Sequence, residues 1–240
     1  MRYSVIDTGG STGFSDADTL LTAAAGRDTD SDIVVLLGRD AGEAFADIQD
    51  AANKTAVLIE LYGECLGVYT GEIRAEEGGN VLGFVRFRMG TAPPTNLVEL
   101  VRQPRTSDAA LAAARAVFEG AGLQVAVCGD FTGRIIDRLA RPYYNAALTR
   151  LDEGLATADD LDTTLKLGLG YPEGPIALLE RTGLEYHCEV TQALFEATGD
   201  AAYAPARRAR VAHVRAVVRQ QALDLTDSPF PLTSGSGIDG

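Results

Sequence analysis

The sequence predicts an α/β layer with a mainly parallel sheet, followed by an all-helical domain. Two observations carry that prediction. Short β-rich runs alternate with helical segments and turns up to about residue 129, and from residue 133 the hydrophobic period becomes helical and stays so.

Before the glycine-rich stretch IDTGGSTG (6–13) there is room for a first strand. DIVVLLG (32–38), TAVLIELY (55–62), VLGFVRFRM (81–89), LVELV (97–101) and LQVAVCG (123–129) are rich in aliphatic and β-branched residues and are bounded by turn formers, which makes them strands. AGEAFADIQDAAN (41–53) and TSDAALAAARAVFEGAG (106–122) have helical composition. In the second, the Ser107 hydroxyl can accept an orphan amide at the N-terminus, and Gly120 or Gly122 can take the left-handed conformation that closes a helix.

Beyond Gly133, Ile135, Ile136, Leu139, Tyr143, Ala147, Leu148 and Leu151 fall on one broad face of a long helix, which Pro142 should kink or interrupt. Thr157 with Asp160 forms a capping box for the next helix, and Gly168 is expected to end it. Pro172 and Gly174 shape a loop before Pro175, which suits a first helical position. GLEYHCEVTQALFEATG (183–199) is a further helix with Leu184, Val190, Leu194 and Phe195 facing inward, and a last helix covers about 207–223. The predicted organisation is a sheet domain over 1–130, a helical domain over 131–225 and a flexible tail over 226–240 ending in SGSGIDG.

Composition narrows the function. With 240 residues and 46% hydrophobic content, the chain can bury one large core or two modest ones. A formal charge of −13 repels phosphate backbones and argues against nucleic-acid binding through a general basic surface. No apolar run reaches the roughly 18 residues of a membrane span, and the N-terminus lacks the pattern of a secretory signal, so a cytoplasmic protein is expected. Cys65, Cys128 and Cys188 form neither a disulfide framework nor a CxxC spacing and read as small buried hydrophobes. The two histidines, His187 and His213, exclude a multi-histidine metal cage, and no metal is expected. His187 and Cys188 occupy adjacent helical positions, which point about 100° apart and cannot act as a facing pair. The arginines at 207, 208, 210, 215 and 219 around His213 read as a solvated face, with a phosphate-binding patch as the alternative.

One carboxylate is out of place. Glu99 sits inside LVELV, where an ionised group is expensive unless something pairs with it. Backbone amides, or an arginine such as Arg86 or Arg88 on the preceding strand, are the candidate partners.

An ordered series of landmarks runs from this strand: LVELV, then Thr106–Ser107, GRIIDRL (133–139), Asn145, Glu153–Gly154, DLD (160–162) and GYPEGP (170–175). The series resembles the junction and C-terminal domain of the 3-hydroxyacyl-CoA dehydrogenases. The resemblance implies a Rossmann-type domain for NAD and a helical domain that dimerises and helps hold acyl-CoA. Its chemistry is hydride transfer from the 3-hydroxyl carbon to NAD, with a histidine general base oriented by a glutamate.

Position by position, the resemblance places the orienting glutamate at Glu99. The histidine, twelve positions earlier, is replaced by Phe87, and an asparagine near the reacting centre is replaced by Asp137. A phenyl ring cannot accept a proton, so no catalytic residue is retained as a working set and Glu99 and Asp137 are remnants. Gly9, Gly10 and Gly13 are a weak match to a dinucleotide-binding turn, and the segment that should carry the second strand and its ribose-binding acid is missing. NAD binding is therefore not expected. The resulting expectation is a catalytically degenerate family member that acts as a homodimeric or acyl-CoA-binding subunit. The alternatives are an active enzyme with a rearranged or subunit-shared site, and a purely structural homodimer.

Overall fold

The computed structural model describes residues 2–226. The tail expected at 226–240 lies outside them, apart from Thr226, the last residue of the final helix.

Six strands form one sheet in chain order: β1 (Ser4–Asp7), β2 (Ile33–Leu37), β3 (Ala56–Glu60), β4 (Val81–Arg86), β5 (Leu97–Arg102) and β6 (Gln124–Gly129). Every neighbouring pair is parallel except β4 and β5, which run antiparallel. Both faces of the sheet are covered. Accordingly β2 and β3 are buried at every position and, apart from Glu60 at the end of β3, read as continuous apolar runs rather than alternating ones.

Three one-turn helices, α1 (Thr19–Thr22), α2 (Ala41–Ala44) and α3 (Gly67–Thr70), connect the parallel strands, and α4 (Asp108–Gly120) packs on one face. The alanines of α4 let it lie close to the sheet, where Phe118 meets Phe84 with ring centroids 4.8 Å apart. On the other face, Val34, Leu36, Ile59, Leu61 and Leu66 form a second core.

The expected helix over 41–53 does not form. It stops after α2, and two 3₁₀ turns follow, Phe45–Asp47 and Ala51–Asn53. Between them Ile48 leaves the helical region, with ψ 88°, and its side chain is buried in the second core, so tertiary burial overrides local propensity. Strand β4 ends at Arg86, short of Met89. Only α1 lies between β1 and β2, in agreement with a shortened sheet. Ser107 caps α4 by accepting a bond from the Ala110 amide, as its position predicts.

The helices that follow are α5 (Ile136–Asp152), α6 (Ala158–Leu169), α7 (Pro175–Thr182), α8 (Leu184–Thr198) and α9 (Arg207–Thr226). Leu148, Ile176, Leu179, Cys188, Ala206 and Ala209 fill their core. Pro142 does not interrupt α5. A proline cannot donate to the carbonyl four residues back, and here that carbonyl, on Arg138, accepts instead from the Tyr203 hydroxyl at 3.1 Å.

The inward face of α5 also departs from the expectation. Leu139 is 73% exposed, while Arg141, Asn145 and Leu148 are the buried positions. Helix α6 runs one residue past Gly168 and is closed by Gly170 in the left-handed region. In α8 the buried positions are His187, Cys188, Thr191 and Leu194; of the four residues expected inward, only Leu194 is fully buried.

The loop GYPEGP is a helix cap built across two elements. The Asp162 carboxylate accepts from the amides of Ile176 at 2.8 Å and Ala177 at 2.9 Å, at the start of α7. A side chain on Gly174 would collide with Asp162, which fixes glycine there.

Candidate active site

The carboxyl ends of β3 and β4 face α5 and α8 across a cleft of about 600 Å³. Leu61, Val85, Phe87 and Leu194 supply apolar wall, and Glu99, Arg134, Asp137 and Arg141 supply charge. Three of the residues singled out in the sequence, Phe87, Glu99 and Asp137, are thus brought to one cavity.

Glu99 lies opposite Val85 in the antiparallel β4–β5 pair and is 3% exposed. Its Oε1 accepts from the amide of Ile135 at 3.0 Å and that of Ile136 at 2.9 Å, two orphan donors at the start of α5. Neither arginine pairs with it. Arg86 binds Asp18 at 2.6 Å, and Arg88 donates to the carbonyls of Ala92 and Thr12. The carboxylate is a helix cap reaching from the sheet, which is the backbone-amide option for its partner. Burial pushes its pKa above the usual glutamate range, and the two amides pull the other way.

The turn before α5 sets that geometry. Gly133 has φ +76°, and a side chain there would collide with Leu194. Arg134 follows at φ +47°, rare for a residue with a side chain. Its guanidinium holds the conformation by donating to the carbonyls of Tyr62 at 2.6 Å and Glu64 at 3.0 Å, just beyond β3. The strained turn therefore clamps α5 to the sheet and aims its first amides at Glu99.

A polar chain runs from the cleft into the helices. Arg141 Nε donates to Asp137 at 2.7 Å and its Nη1 to His187 Nδ1 at 3.1 Å, and His187 Nε2 meets Asn145 Oδ1 at 2.9 Å. A guanidinium can only donate, so Nδ1 accepts and the proton of the neutral ring sits on Nε2. Burial, reinforced by the Arg141 charge, lowers the His187 pKa to about 3. Asn145 completes the chain by donating to the carbonyls of Ala202 and Ala204. His187 is thus a buried structural group, and Cys188, next to it, packs into the helical core. The single signal for this chain was polar residues on the inward face of an amphipathic helix, which periodicity does not register as partners.

A second buried acid was missed. Glu60 ends β3 and accepts from the Gly38 amide at 2.7 Å and the Ser11 hydroxyl at 2.8 Å, tying the loop after β1 to β2 and β3. It lies in TAVLIELY as Glu99 lies in LVELV, so the same reading would have found it.

The glycines of the candidate dinucleotide turn have different roles. Gly9 and Gly10 follow β1 with φ +83° and +75°, and a side chain on Gly9 would meet only open space. Gly13 is packed against Arg86, so its missing side chain serves packing. Arg39 stands beside Gly10 on the cleft wall. A turn open to solvent with a guanidinium beside it fits a pyrophosphate.

The arginines near His213 are partly accounted for. Arg207 and Arg208 both pair with Asp152, at 2.9 Å and 2.6 Å, and His213 Nδ1 lies 3.5 Å from Glu189.

Residues 133–220 match the family description "3-hydroxyacyl-CoA dehydrogenase, C-terminal domain". Over 117 residues the chain is 36% identical to 3-hydroxybutyryl-CoA dehydrogenase of Bradyrhizobium diazoefficiens, covering 49% of this chain and 40% of that protein. It is 37% identical over 93 residues to human mitochondrial hydroxyacyl-coenzyme A dehydrogenase, covering 39% of this chain and 30% of that protein. The chain thus matches less than half the length of these relatives. The crystal structure of (S)-3-hydroxybutyryl-CoA dehydrogenase from Ralstonia eutropha superposes with a TM-score of 0.65 at 25% identity, covering 79% of this chain and 69% of that one. The expectation that NAD does not bind is overturned by this kinship: the matches are dehydrogenases, and the structural likeness extends beyond the helical part, so NAD binding is the expectation to carry forward.

Proposed function

From the similarity of this chain to the 3-hydroxyacyl-CoA dehydrogenases, we propose an acyl-CoA-binding protein of fatty-acyl-CoA metabolism whose cleft lacks the histidine proton acceptor. One observation carries this reading. Phe87 forms part of the cleft wall just past the end of β4, whose Val85 lies opposite Glu99, and its ring has no site for a proton. Asp137, the second changed position, spends one carboxylate oxygen on Arg141 and lines the same cavity.

NAD, expected from the kinship, would be held by the Gly9–Gly10 turn with Arg39 beside it, and when bound it supplies the hydride acceptor. The chain's own residues bind and orient: the apolar wall of Leu61, Val85, Phe87 and Leu194 receives an acyl group, while Glu99 and Arg134 keep sheet and helix in register. The same proposal divides the chain into a sheet domain over 1–130 and a helical domain over 131–225. It also places the protein in the cytoplasm. Among the described residues no helix is long and apolar enough to cross a membrane.

Homodimerisation through the helices belongs to the proposal as well. Leu155, Leu167 and Leu169 are each more than 60% exposed, and Val211, Val214 and Val218 are exposed along α9, an amount of open apolar surface that suits a second copy.

Calorimetric titration with butyryl-CoA, paired with NADH formation from 3-hydroxybutyryl-CoA, tests the reading. The expected result is binding of the thioester with turnover about a hundredfold or more below that of a histidine-containing relative, the scale of a general base. Substantial turnover would favour the active-enzyme alternative. Dimers that bind neither ligand would favour a structural protein.

A further inference from the structure

The two oxygens of Glu99 are in different situations. Oε1 is saturated by the amides of Ile135 and Ile136, while Oε2 receives no hydrogen bond from any described residue. The residue is nonetheless 3% exposed and lines the cleft. Oε2 keeps some solvent contact rather than being sealed in, so a donor brought by a ligand in the cleft can reach it.

No side chain in the cleft donates to it. Arg134 spends its two terminal nitrogens on the carbonyls of Tyr62 and Glu64 while its Nε makes no hydrogen bond, and Arg141 binds Asp137 and His187. The neighbouring wall, Val85, Phe87 and Leu194, has no polar side-chain atom.

We propose that Glu99 divides its carboxylate between two tasks: Oε1 caps α5, and Oε2 is the direct acceptor for a hydroxyl hydrogen of the ligand in the cleft. The proposal rests on the reading of the cleft as an acyl-CoA site, and it gives Glu99 direct contact with the ligand rather than contact through another side chain. The upward pKa shift from burial agrees with it, since a more basic carboxylate is a stronger hydrogen-bond acceptor.

The test is a set of calorimetric titrations at pH 8 with 3-hydroxybutyryl-CoA, butyryl-CoA and 3-methoxybutyryl-CoA. The wild-type chain should prefer the hydroxy ligand over butyryl-CoA by about tenfold, the scale of a hydrogen bond to a charged acceptor. The methoxy ligand keeps the oxygen and lacks the donor, and should bind no better than butyryl-CoA. Glu99→Gln retains an Oε1 for the α5 amides and replaces Oε2 with an amide nitrogen, so thermal unfolding near the wild-type midpoint should accompany loss of the preference. Equal wild-type affinities for the hydroxy and methoxy ligands, or a preference that survives in Glu99→Gln, would overturn the proposal and leave the acyl-CoA reading standing. Binding of none of the three thioesters would overturn both.

Discussion

At position 187 an imidazole is held neutral, its pKa lowered to about 3 by burial and by the Arg141 guanidinium. The unfolded chain takes up a proton near the ordinary histidine value, about 6.5, that the folded chain refuses. Stability contributed by this group therefore falls as pH drops from about 6.5 towards 3, by up to about 1.4 kcal/mol per pH unit. Glu60 and Glu99, whose pKa values are raised, act with the opposite sign: they favour the folded state at low pH and lose that contribution as pH rises past the ordinary glutamate range. A comparison of wild type with His187→Gln cancels the carboxylates. A glutamine can still accept from Arg141 and donate to Asn145, so urea midpoints at pH 7 and pH 5 should diverge less in the variant than in the wild type. Equal slopes would remove His187 from the account. At this scale the sequence exposed Glu99 because a lone acid interrupts an aliphatic run, yet Glu60 carries the same mark and was passed over. The partners of both were illegible, since backbone amides brought together by the fold leave no trace in residue identity.

At the scale of elements, the joint between β5 and α5 explains why Gly133 and Arg134 adopt left-handed conformations. Gly133→Ala should destabilise the chain by about 1–3 kcal/mol, because the new methyl meets both an unfavourable φ and Leu194. A second case is Pro142. Its helix continues because the Tyr203 hydroxyl serves the Arg138 carbonyl, so Tyr203→Phe should cost about 1 kcal/mol in a chemical denaturation curve. An unchanged midpoint in either variant would show that the joint or the rescue contributes little. Caps were the most legible elements: Ser107 and Thr157 act where their spacing puts them. The stretch 41–53 was not legible, because its helical composition yields to the burial of Ile48. Nor was the direction of α5 legible, whose buried stripe of Arg141 and Asn145 contradicts a face drawn from apolar residues alone.

For the whole molecule, strand and helix periodicity was enough to place a shortened, mostly parallel sheet ahead of a set of helices, and the ordered landmarks from LVELV to GYPEGP were enough to point to the family whose C-terminal domain matches residues 133–220. Cofactor use was not legible from the glycines, since a turn after a strand looks alike whether it packs a side chain or faces a ligand. The kinship with dehydrogenases corrected that expectation. The proposed function turns on a cleft that holds both Glu99 and the Phe87 ring. Replacing that ring tests the claim most directly, with NADH formation from 3-hydroxybutyryl-CoA and NAD measured for wild type and Phe87→His at equal, saturating ligand. The account predicts slow turnover by the wild type and a rise of about a hundredfold in the variant, as an imidazole beside Glu99 restores a general base. Rapid turnover by the wild type, with no gain in Phe87→His, would contradict it.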